Sequence, residues 1–446
     1  MKKDSPDAIR ELRKGSIRSV ICTGDNALTG ISIGRQCGIV AQKFRILLGD
    51  VAKGSGGGQL QWRDPDVDGG DACDVHALAF ADCQLAVTQS AWRHLHGNAA
   101  ELEDIWTRLV VFARMKPEDK INVVKFFQSQ NLVVGMCGDG GNDCGGLRAA
   151  HAGLALSDAE ASMVSPFATG RDGKSLLTVV DLIREGRACL ATNLATFQYF
   201  IVYAFTLTTI RTILVVLAAL SLGEYVWLTM DVGIGIVMVW TMTQSKPTKE
   251  LCSYRPTATL LGLRTIVGIV FPYITAIVAV VVAEVMMWAK PWYEQLNPLD
   301  DIHLLPAQWM LRGTTCNKHN GHFLIWVFLP LGFAPAPSGH ALLFGRKPSR
   351  KPTGDARKGD NYDSAIGMIA LILALVNTAY VNTYGGRFRQ NIMCNWMINV
   401  VYAVFLFALF WLLLTPASEF NCIYRVNCDT KHSLQAGDLT VLAAFS

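Results

Sequence analysis

The glycine-rich segment Met136–Cys144 (Met-Cys-Gly-Asp-Gly-Gly-Asn-Asp-Cys) carries the residue types best suited to chemistry. It follows the apolar run Asn131–Val134, and its Asp139 and Asp143 stand four residues apart. A strand that ends in such a turn and leads into a helix suits Mg²⁺ and phosphoryl oxygens at the carboxyl end of a parallel sheet. The segment therefore predicts phosphate chemistry, although single turns of this kind also occur in purely structural loops.

Two segments upstream extend the pattern: Val20–Asn26 (Val-Ile-Cys-Thr-Gly-Asp-Asn) and Val111–Lys120 (Val-Phe-Ala-Arg-Met-Lys-Pro-Glu-Asp-Lys). In this order, the three segments resemble the phosphorylation domain of P-type ATPases, which has a haloacid-dehalogenase-like α/β fold. Ala149–Phe167 and Leu182–Ala188 are similar to the type-five subfamily and its polyamine-transporting branch. The resemblance runs from about Asp7 to the last apolar span.

The resemblance implies roles around the metal and the phosphoryl group. Asp139 would ligate Mg²⁺, Asp143 would support the metal site, and Asn142 would donate to the phosphoryl group. Lys120 would hold the phosphoryl oxygens, as the second Lys of an Arg-x-x-Pro-x-x-Lys pattern. Taken alone, Lys120 would instead be interpreted as an exposed helix residue. Most catalysis of phosphoryl transfer is positioning and charge neutralisation, which these residue types supply.

The resemblance also implies a nucleotide side to the site. The Thr23 hydroxyl and the Gly24 amide would cradle an aspartyl phosphate, whereas Asp25 and Arg114 would help to orient ATP. The family's nucleophile is the Asp of an Asp-Lys-Thr-Gly-Thr sequence, which does not occur in the 446 residues. We therefore expect the C-terminal half of a transporter, inactive alone, whose partner is the missing N-terminal half.

Departures from the family pattern occur at Gly141 and Gly146, where relatives usually have Ala. Each extra Gly at a helix start is expected to cost roughly 0.5 to 1 kcal/mol, which affects stability more than mechanism. Cys137 and Cys144 flank the carboxylates, and metal ligation by them is the alternative to two small packed thiols.

The composition changes sharply along the chain, which is 51% hydrophobic overall and therefore leans towards a membrane protein. We predict a partial cytosolic phosphorylation domain over 1–190, an all-α polytopic membrane domain in the lipid bilayer over 191–415, and a cytosolic tail over 416–446. A net charge of +4 does not indicate a nucleic-acid partner.

In the soluble part, short β-branched runs alternate with helical patterns, which predicts an α/β fold. Ile17–Ile21 and Leu132–Val134 are predicted strands, and Glu118–Gln130 is a predicted amphipathic helix. The glycine-rich stretch near 48–70 is predicted to be a flexible surface insertion without a catalytic role.

About six spans are predicted in the membrane part, since a span needs about 20 apolar residues. They are Phe197–Leu222, Tyr225–Met242, Leu263–Trp288, Phe323–Pro337, Ala365–Tyr384 and Met393–Leu414. The fourth is short and interrupted by Pro330, Pro335 and Pro337, so a re-entrant segment or an error in the chain are alternatives. Basic residues after the second and fourth spans predict that both loops, and then the tail, face the cytosol.

Ionisable groups within spans are functional candidates by default. Asp231 lies early in the second span, and Glu224 lies about two helical turns before it. The resemblance implies that Asp231 binds a polyamine with aromatic residues nearby, matched by Tyr203 and Trp227, through cation–π contact. Anchoring at the lipid interface is the alternative for both aromatic residues.

Two neighbours of that site do not fit the pattern. Leu207 replaces a Gln of the family and cannot hydrogen-bond an ammonium group. Arg211, one turn further, would repel a polyamine unless it pairs with Asp231.

The leading hypothesis is half of an ATP-driven pump that exports a polyamine or another organic cation from an acidic organelle, in an endolysosomal or vacuolar membrane. The alternatives are a non-catalytic membrane fragment from a truncated gene or partial gene model, and a phosphatase fused to a membrane anchor. The phosphatase hypothesis is weak because its nucleophilic Asp would be missing too.

Overall fold

A computed structural model describes residues 2–51, 59–67, 83–156, 160–169, 175–218, 222, 224–289, 362–415 and 424. They belong to two compact units. The first comprises Met1–Arg187 and Thr248–Arg255, and the second comprises Ala188–Pro247 and Pro256–Ser446. In the described residues the first unit is α/β and the second is helical, which confirms the predicted fold class at this level.

The elements of the first unit alternate between strands and helices. In chain order they are α1 (Ser5–Lys14), β1 (Ile21–Cys22), α2 (Ala27–Cys37), β2 (Arg45–Val51), β3 (Leu60–Arg63), β4 (Cys83–Val87), α3 (Gln89–Gly97), α4 (Ala99–Ile105), β5 (Leu109–Phe112), α5 (Pro117–Ser129), β6 (Gly135–Gly138), α6 (Cys144–Ala149), β7 (Ala152–Ala155), α7 (Glu160–Val164) and β8 (Phe167–Ala168). The long helix α8 (Leu177–Ala218) begins in this unit and continues into the second.

The strands form two sheets. The larger has the order β1-β5-β4-β2-β3, and the smaller has the order β6-β7-β8. All pairs are parallel except β2 with β3. Strand β5 is buried at every position, because parallel strands are covered by helices on both faces. Trp92, Phe112 and Phe127 pack together in the core of the larger sheet.

The two predicted strands are wrong in their limits. Only Ile21 of the first belongs to β1, where it pairs with Val111, while Ile17 packs against the cluster around Leu12. The second prediction fails because the chain turns after α5 at Asn131, whose φ is 57°, and Val133 is 69% exposed. The strand forms one step later, as β6.

The predicted insertion near 48–70 is partly a hairpin. Its beginning belongs to β2, and its described later part contains β3, whose Trp62 is 6% exposed and packs into the core. The prediction of a surface loop is therefore wrong for these strands, and 52–58 and 68–70 lie outside the described residues. The predicted helix over Glu118–Gln130 is confirmed within one residue at each end.

The second unit continues with α9 (Glu224–Leu228), a π-helical segment (Thr229–Ile236), α10 (Val237–Thr243), α11 (Leu263–Trp288), α12 (Tyr362–Asn382) and α13 (Trp396–Leu414). Five helices of the described residues are long and apolar enough to cross a membrane, with α9 to α10 counted as one. They correspond to five of the six predicted spans. The remaining prediction, Phe323–Pro337, lies outside the described residues.

Contacts between helices fix their directions within this unit. Helices α8 and α11 run parallel, because Gln198 donates to the Thr265 carbonyl and the hydroxyls of Thr209 and Tyr273 lie 2.9 Å apart. Helix α12 runs the other way, since Gly367 near its start lies against Leu214 near the end of α8.

The end of α12 therefore lies where α10 ends. The Gln390 amide donates to the Lys246 carbonyl at 2.9 Å, and the Asn395 side chain donates to the Thr241 carbonyl. The end of α11 and the start of α12 consequently share the opposite end of the unit. The predicted fourth span, 323–337, would lie between these two helices and is outside the described residues, so it stays a prediction.

Two hydrogen bonds fix the direction of the last described helix. Helix α13 runs antiparallel to α12, because Tyr380 donates to Asn399 and Tyr402 donates to Asn377. Beyond α13, the Tyr424 hydroxyl lies 3.1 Å from that of Thr229, towards the end of the unit opposite Lys246. Within the predicted tail, 416–446, the structure describes Tyr424 alone, so the cytosolic position of the tail stays a prediction.

Candidate functional site

A buried ion pair joins two of the predicted site residues. Helix α5 begins with Pro117, and Asp119 caps its start by accepting the Lys116 amide. This start places Lys120 against the turn after β6, where its Nζ lies 2.6 Å from Asp143 Oδ1. The two side chains are only 8% and 15% exposed. The structure thus brings the predicted phosphate-binding Lys and the predicted metal-supporting Asp together.

Gly138 at the end of β6 makes this approach possible. A Cβ atom there would lie 2.6 Å from Asp143 Oδ2, so only Gly allows the carboxylate to lie over the strand end. Asp139 and Asn142, on the same turn, are exposed. This turn therefore presents one carboxylate and one amide at the surface beside a more buried carboxylate.

The segment after β1 is held by the segment after β5. The Thr23 amide donates to the Phe112 carbonyl, and the Met115 amide donates to the Thr23 carbonyl, both at 2.9 Å. The Arg114 amide donates to the Asp25 carbonyl, with Arg114 at a φ of 55°. The two predicted nucleotide residues, Asp25 and Arg114, are therefore neighbours through the backbone, and both are exposed.

The Thr23 side chain is tied to Asp25. Its hydroxyl donates to the Asp25 carboxylate at 3.0 Å, and it accepts the Asp25 amide at 3.1 Å. Gly24 between them is exposed. The turn is an ordered loop with a hydroxyl and backbone amides at the carboxyl end of a parallel strand, an arrangement that suits an anion.

Two half-buried thiols, one at the end of β1 and one in β6, lie within the influence of these charges. Burial raises the pKa of Cys22 to about 12, with Lys120 opposing the shift and Asp143 adding to it. Burial likewise raises the pKa of Cys137 to about 12, and Asp139 adds to that shift. The Lys120–Asp143 pair therefore acts on the end of β1 as well as on that of β6.

The carboxylates of Asp139 and Asp143 suit a magnesium site that water and substrate phosphate complete. Over the residues that the structure describes, no group of three or more His, Cys, Asp or Glu side chains is placed to hold a metal ion. Mg²⁺ commonly takes one or two carboxylates and completes its shell with water and substrate phosphate. Asp139 and Asp143 fit that kind of site, and they do not fit a closed protein cage.

The predicted substrate residues of the second unit meet at one hydrogen bond. The Tyr203 hydroxyl of α8 donates to Asp231 Oδ1 at 2.5 Å. Asp231 lies in the π-helical segment Thr229–Ile236, a conformation that is rare and often found at functional sites. The structure thus brings Tyr203 and Asp231 together across two candidate membrane helices.

The other two predicted residues lie apart from that bond. Trp227 faces Arg211, whose guanidinium carbon lies 5.4 Å from the indole ring centre. In the described part of the chain, Arg211 forms no ion pair with Asp231, so the predicted alternative pairing is not the arrangement found. Glu224 begins α9, and its side chain lies outside the described part of the structure.

The sequence analysis did not single out Glu284. This acid lies near the end of α11, inside a candidate span, and is 3% exposed. The rule that an ionisable residue within a span is a functional candidate would have found it.

Comparison with known proteins identifies relatives of the chain. No protein-family model matches the chain. Polyamine-transporting ATPase 13A3 of Homo sapiens is 30% identical over 331 residues, or 68% of this chain and 26% of that protein. Probable cation-transporting ATPase 13A4 of Gallus gallus is 32% identical over 324 residues, with the same two shares. Vacuolar cation-transporting ATPase YPK9 of Saccharomyces cerevisiae is 31% identical over 313 residues, or 66% and 21%.

Over about two thirds of its length, the chain is thus homologous to P-type transport ATPases. Within that class its relatives are the 13A group, which includes polyamine-transporting and cation-transporting members. The chain spans about a quarter of the length of the relatives named first.

Proposed function

We propose that the chain is the C-terminal half of an ATP-driven P-type transporter that moves a polyamine or another organic cation. Its first unit would be part of a haloacid-dehalogenase-like phosphorylation domain. The observation that carries the proposal is the Lys120–Asp143 pair, buried over Gly138 at the turn that also presents Asp139. A cation on α5 beside two carboxylates of the turn after β6 suits transfer of a phosphoryl group.

Each residue of the turns has a distinct task in this proposal. Asp139 and Asp143 would hold Mg²⁺, and that ion would supply charge neutralisation at the phosphoryl oxygens. Lys120 exchanges part of its pairing with Asp143 for a phosphoryl oxygen, and Asn142 donates from the exposed side.

The turn after β1 closes the other side of the site. Thr23 and the Gly24 amide hold the aspartyl phosphate, since Asp25 already fixes the Thr23 hydroxyl. Asp25 and Arg114, both exposed, orient the nucleotide.

The nucleophile of this reaction lies outside the 446 residues in our proposal. They contain no Asp-Lys-Thr-Gly sequence, whose Asp is the nucleophile in the family that the chain resembles. The remainder of the same protein supplies the aspartate, and the two parts form one phosphorylation site.

The membrane unit supplies the cation site. Asp231 is a carboxylate inside a candidate span, and a hydrogen bond from Tyr203 orients it. The names of two relatives support a cationic substrate, one a polyamine and one an unspecified cation. The vacuolar member named among the relatives supports a vacuolar or endolysosomal membrane.

Phosphoenzyme formation tests this function. The purified chain is incubated with radiolabelled ATP and Mg²⁺, alone and fused to an upstream half that carries Asp-Lys-Thr-Gly. We expect a hydroxylamine-labile label on the fused protein only, and we expect Asp139→Asn to abolish it. Asp104→Asn, which changes an exposed acid on α4, is the matched control and should keep the label. Label on the chain alone, or full label in Asp139→Asn, would overturn the proposal.

A further inference from the structure

Arg211 and Trp227 form a second contact between the helices that carry Tyr203 and Asp231. Arg211 lies two turns beyond Tyr203 on α8, and Trp227 lies one turn before Asp231. The helices run antiparallel, because Tyr203 meets Asp231 while the later Arg211 meets the earlier Trp227. The two contacts are therefore successive along one helix interface.

The geometry of the second contact is that of a cation on an aromatic face. The guanidinium carbon lies 5.4 Å from the indole ring centre, within the roughly 6 Å range of a cation–π interaction. Side chains of a helix point towards its N-terminus, which directs Arg211 back towards Leu207 and the Tyr203 contact. The positive charge of Arg211 thus lies on the indole face of Trp227, one helical turn from Asp231.

A multiply charged amine needs more than one favourable place for its charges. Asp231 offers one, and the indole of Trp227 would offer a second if its face were free. Leu207, which lies between Tyr203 and Arg211 on α8, has no hydrogen-bonding atom in its side chain. A second ammonium group near Trp227 would also meet the Arg211 charge in a medium of low dielectric constant, where repulsion is strong.

We propose that Arg211 is a tethered cation that occupies the indole face of Trp227, so that the site binds amines with one positive charge in preference to amines with several. This inference rests on the proposed cation site at Asp231, and it narrows the substrate class of that site. Arg211 acts as a specificity-determining residue because its charge takes the place of a second substrate charge.

An alternative role for Arg211 is to neutralise Asp231. Within the described residues, however, Asp231 accepts its hydrogen bond from Tyr203, and the contact of Arg211 is with Trp227. A neutralising pair would lower the affinity for every amine alike, because the carboxylate itself would be occupied. The two roles therefore differ in how affinity depends on the charge of the amine.

Equilibrium binding of three amines to the full 446-residue chain in phosphatidylcholine nanodiscs tests the proposal. The probes are radiolabelled butylamine, 1,4-diaminobutane and spermine, with one, two and four amine groups. We expect the wild-type chain to bind butylamine most tightly and spermine least tightly. Arg211→Leu should tighten spermine binding at least tenfold and change butylamine binding less than twofold.

Three further variants make the result specific. Arg211→Lys keeps the charge and should retain the wild-type order of affinities. Arg264→Leu removes an exposed charge at the start of α11 and should leave all three affinities unchanged. Asp231→Asn should abolish binding of every amine, which tests the underlying cation site separately.

The outcomes distinguish the two levels of inference. If Asp231→Asn abolishes binding but the wild-type chain binds spermine most tightly, or Arg211→Leu leaves spermine binding unchanged, the role of Arg211 is wrong and the cation site stands. If Asp231→Asn changes nothing, both proposals are wrong. The wild-type order of affinities decides the matter even if Arg211→Leu does not fold.

Discussion

Lys120 Nζ lies 2.6 Å from Asp143 Oδ1, and this pair joins helix α5 to the glycine-rich turn after β6. Both side chains are largely withdrawn from water, so each charge depends on the other for its stabilisation. Buried pairs contribute little net stability, but removal of one partner leaves the other charge uncompensated. The pair therefore couples the stability of this unit to the residues proposed to bind phosphate and metal.

Removal of Lys120 should destabilise the first unit strongly. We expect Lys120→Met to cost about 3 to 5 kcal/mol, because Asp143 remains buried without its cation. Hydrogen exchange of peptides from β6 and α6 in the full chain measures this as lost protection. Lys125→Met, an exposed change on the same helix, is the control and should have little effect.

A double variant separates the pair from the rest of Lys120. In Lys120→Met/Asp143→Leu no charge is left unpaired, so much of the lost protection should return. Equal losses in the single and double variants would show that the pairing with Asp143 is not the cause.

Asp119 should make the first unit sensitive to acid. Burial acts to raise the pKa of Asp119, but hydrogen bonds from Arg93, Gln89 and the Lys116 amide outweigh it and lower the pKa below its ordinary value. A lowered folded-state pKa gives stability that is present above the unfolded pKa, about 3.9, and is lost as the pH falls through the folded value.

Arg93→Gln tests this because it removes one of the interactions that lower the pKa of Asp119. The wild-type chain should exceed the variant in stability at pH 7, and the difference should shrink as the pH falls below the unfolded pKa of about 3.9 and through the folded value. Hydrogen exchange of α5 peptides, corrected for intrinsic rates, gives the difference. Arg148→Gln, an exposed change on α6, should show none at any pH. A difference for Arg93→Gln that stays constant with pH would contradict the role of Asp119.

Gly153 in β7 should not tolerate a side chain. A Cβ atom there would lie 2.5 Å from the Leu147 carbonyl oxygen, and backbone moves less easily than a flexible side chain. We expect Gly153→Ala to destabilise the first unit by about 1 to 3 kcal/mol through overpacking. At Gly135, on the paired strand β6, a Cβ atom would lie 3.6 Å from its nearest neighbour, so Gly135→Ala should be close to neutral. Thermal unfolding of the two variants and the wild-type chain measures the difference. Similar melting temperatures for the two variants would contradict this packing argument.

The sequence predicted those features of the fold and site that depend on residues close together in the chain. The helix predicted over Glu118–Gln130 agrees with α5 within one residue at each end, and the family resemblance picked out Lys120 and Asp143, which the structure brings together. Gly146 was interpreted only as a weak helix residue. The structure adds a packing reason, because the Met136 sulfur occupies the space that a Cβ would take.

The remaining features depend on partners that are distant in sequence. The limits of β1 and β6 follow from pairing with β5 and β7, which an apolar run does not specify. The contact of Arg211 with Trp227, instead of Asp231, depends on the register of two helices. Helix direction could not be read from the sequence either, because an apolar stretch of marginal length does not reveal whether it crosses.

The chain between α12 and α13 should therefore lie on the same side of the membrane as the chain between α10 and α11. The Lys246 carbonyl accepts the Gln390 amide, and Arg387 and Arg389 add to the basic residues of that end. An excess of basic residues is typical of the cytosolic side. The exposed Cys394 lies in this connection and offers a native label.

Labelling from one side of sealed vesicles tests this arrangement. The full chain is prepared with Cys394 as the sole cysteine, and compared with cysteine-free backgrounds that carry Thr257→Cys or Ala289→Cys, both at exposed positions. A membrane-impermeant maleimide should label Cys394 and Thr257→Cys from one side and Ala289→Cys from the other, because α11 separates the last two. If Cys394 is labelled together with Ala289→Cys, α12 runs in the opposite direction. The chain would then cross the membrane once between α11 and α12, as predicted over 323–337.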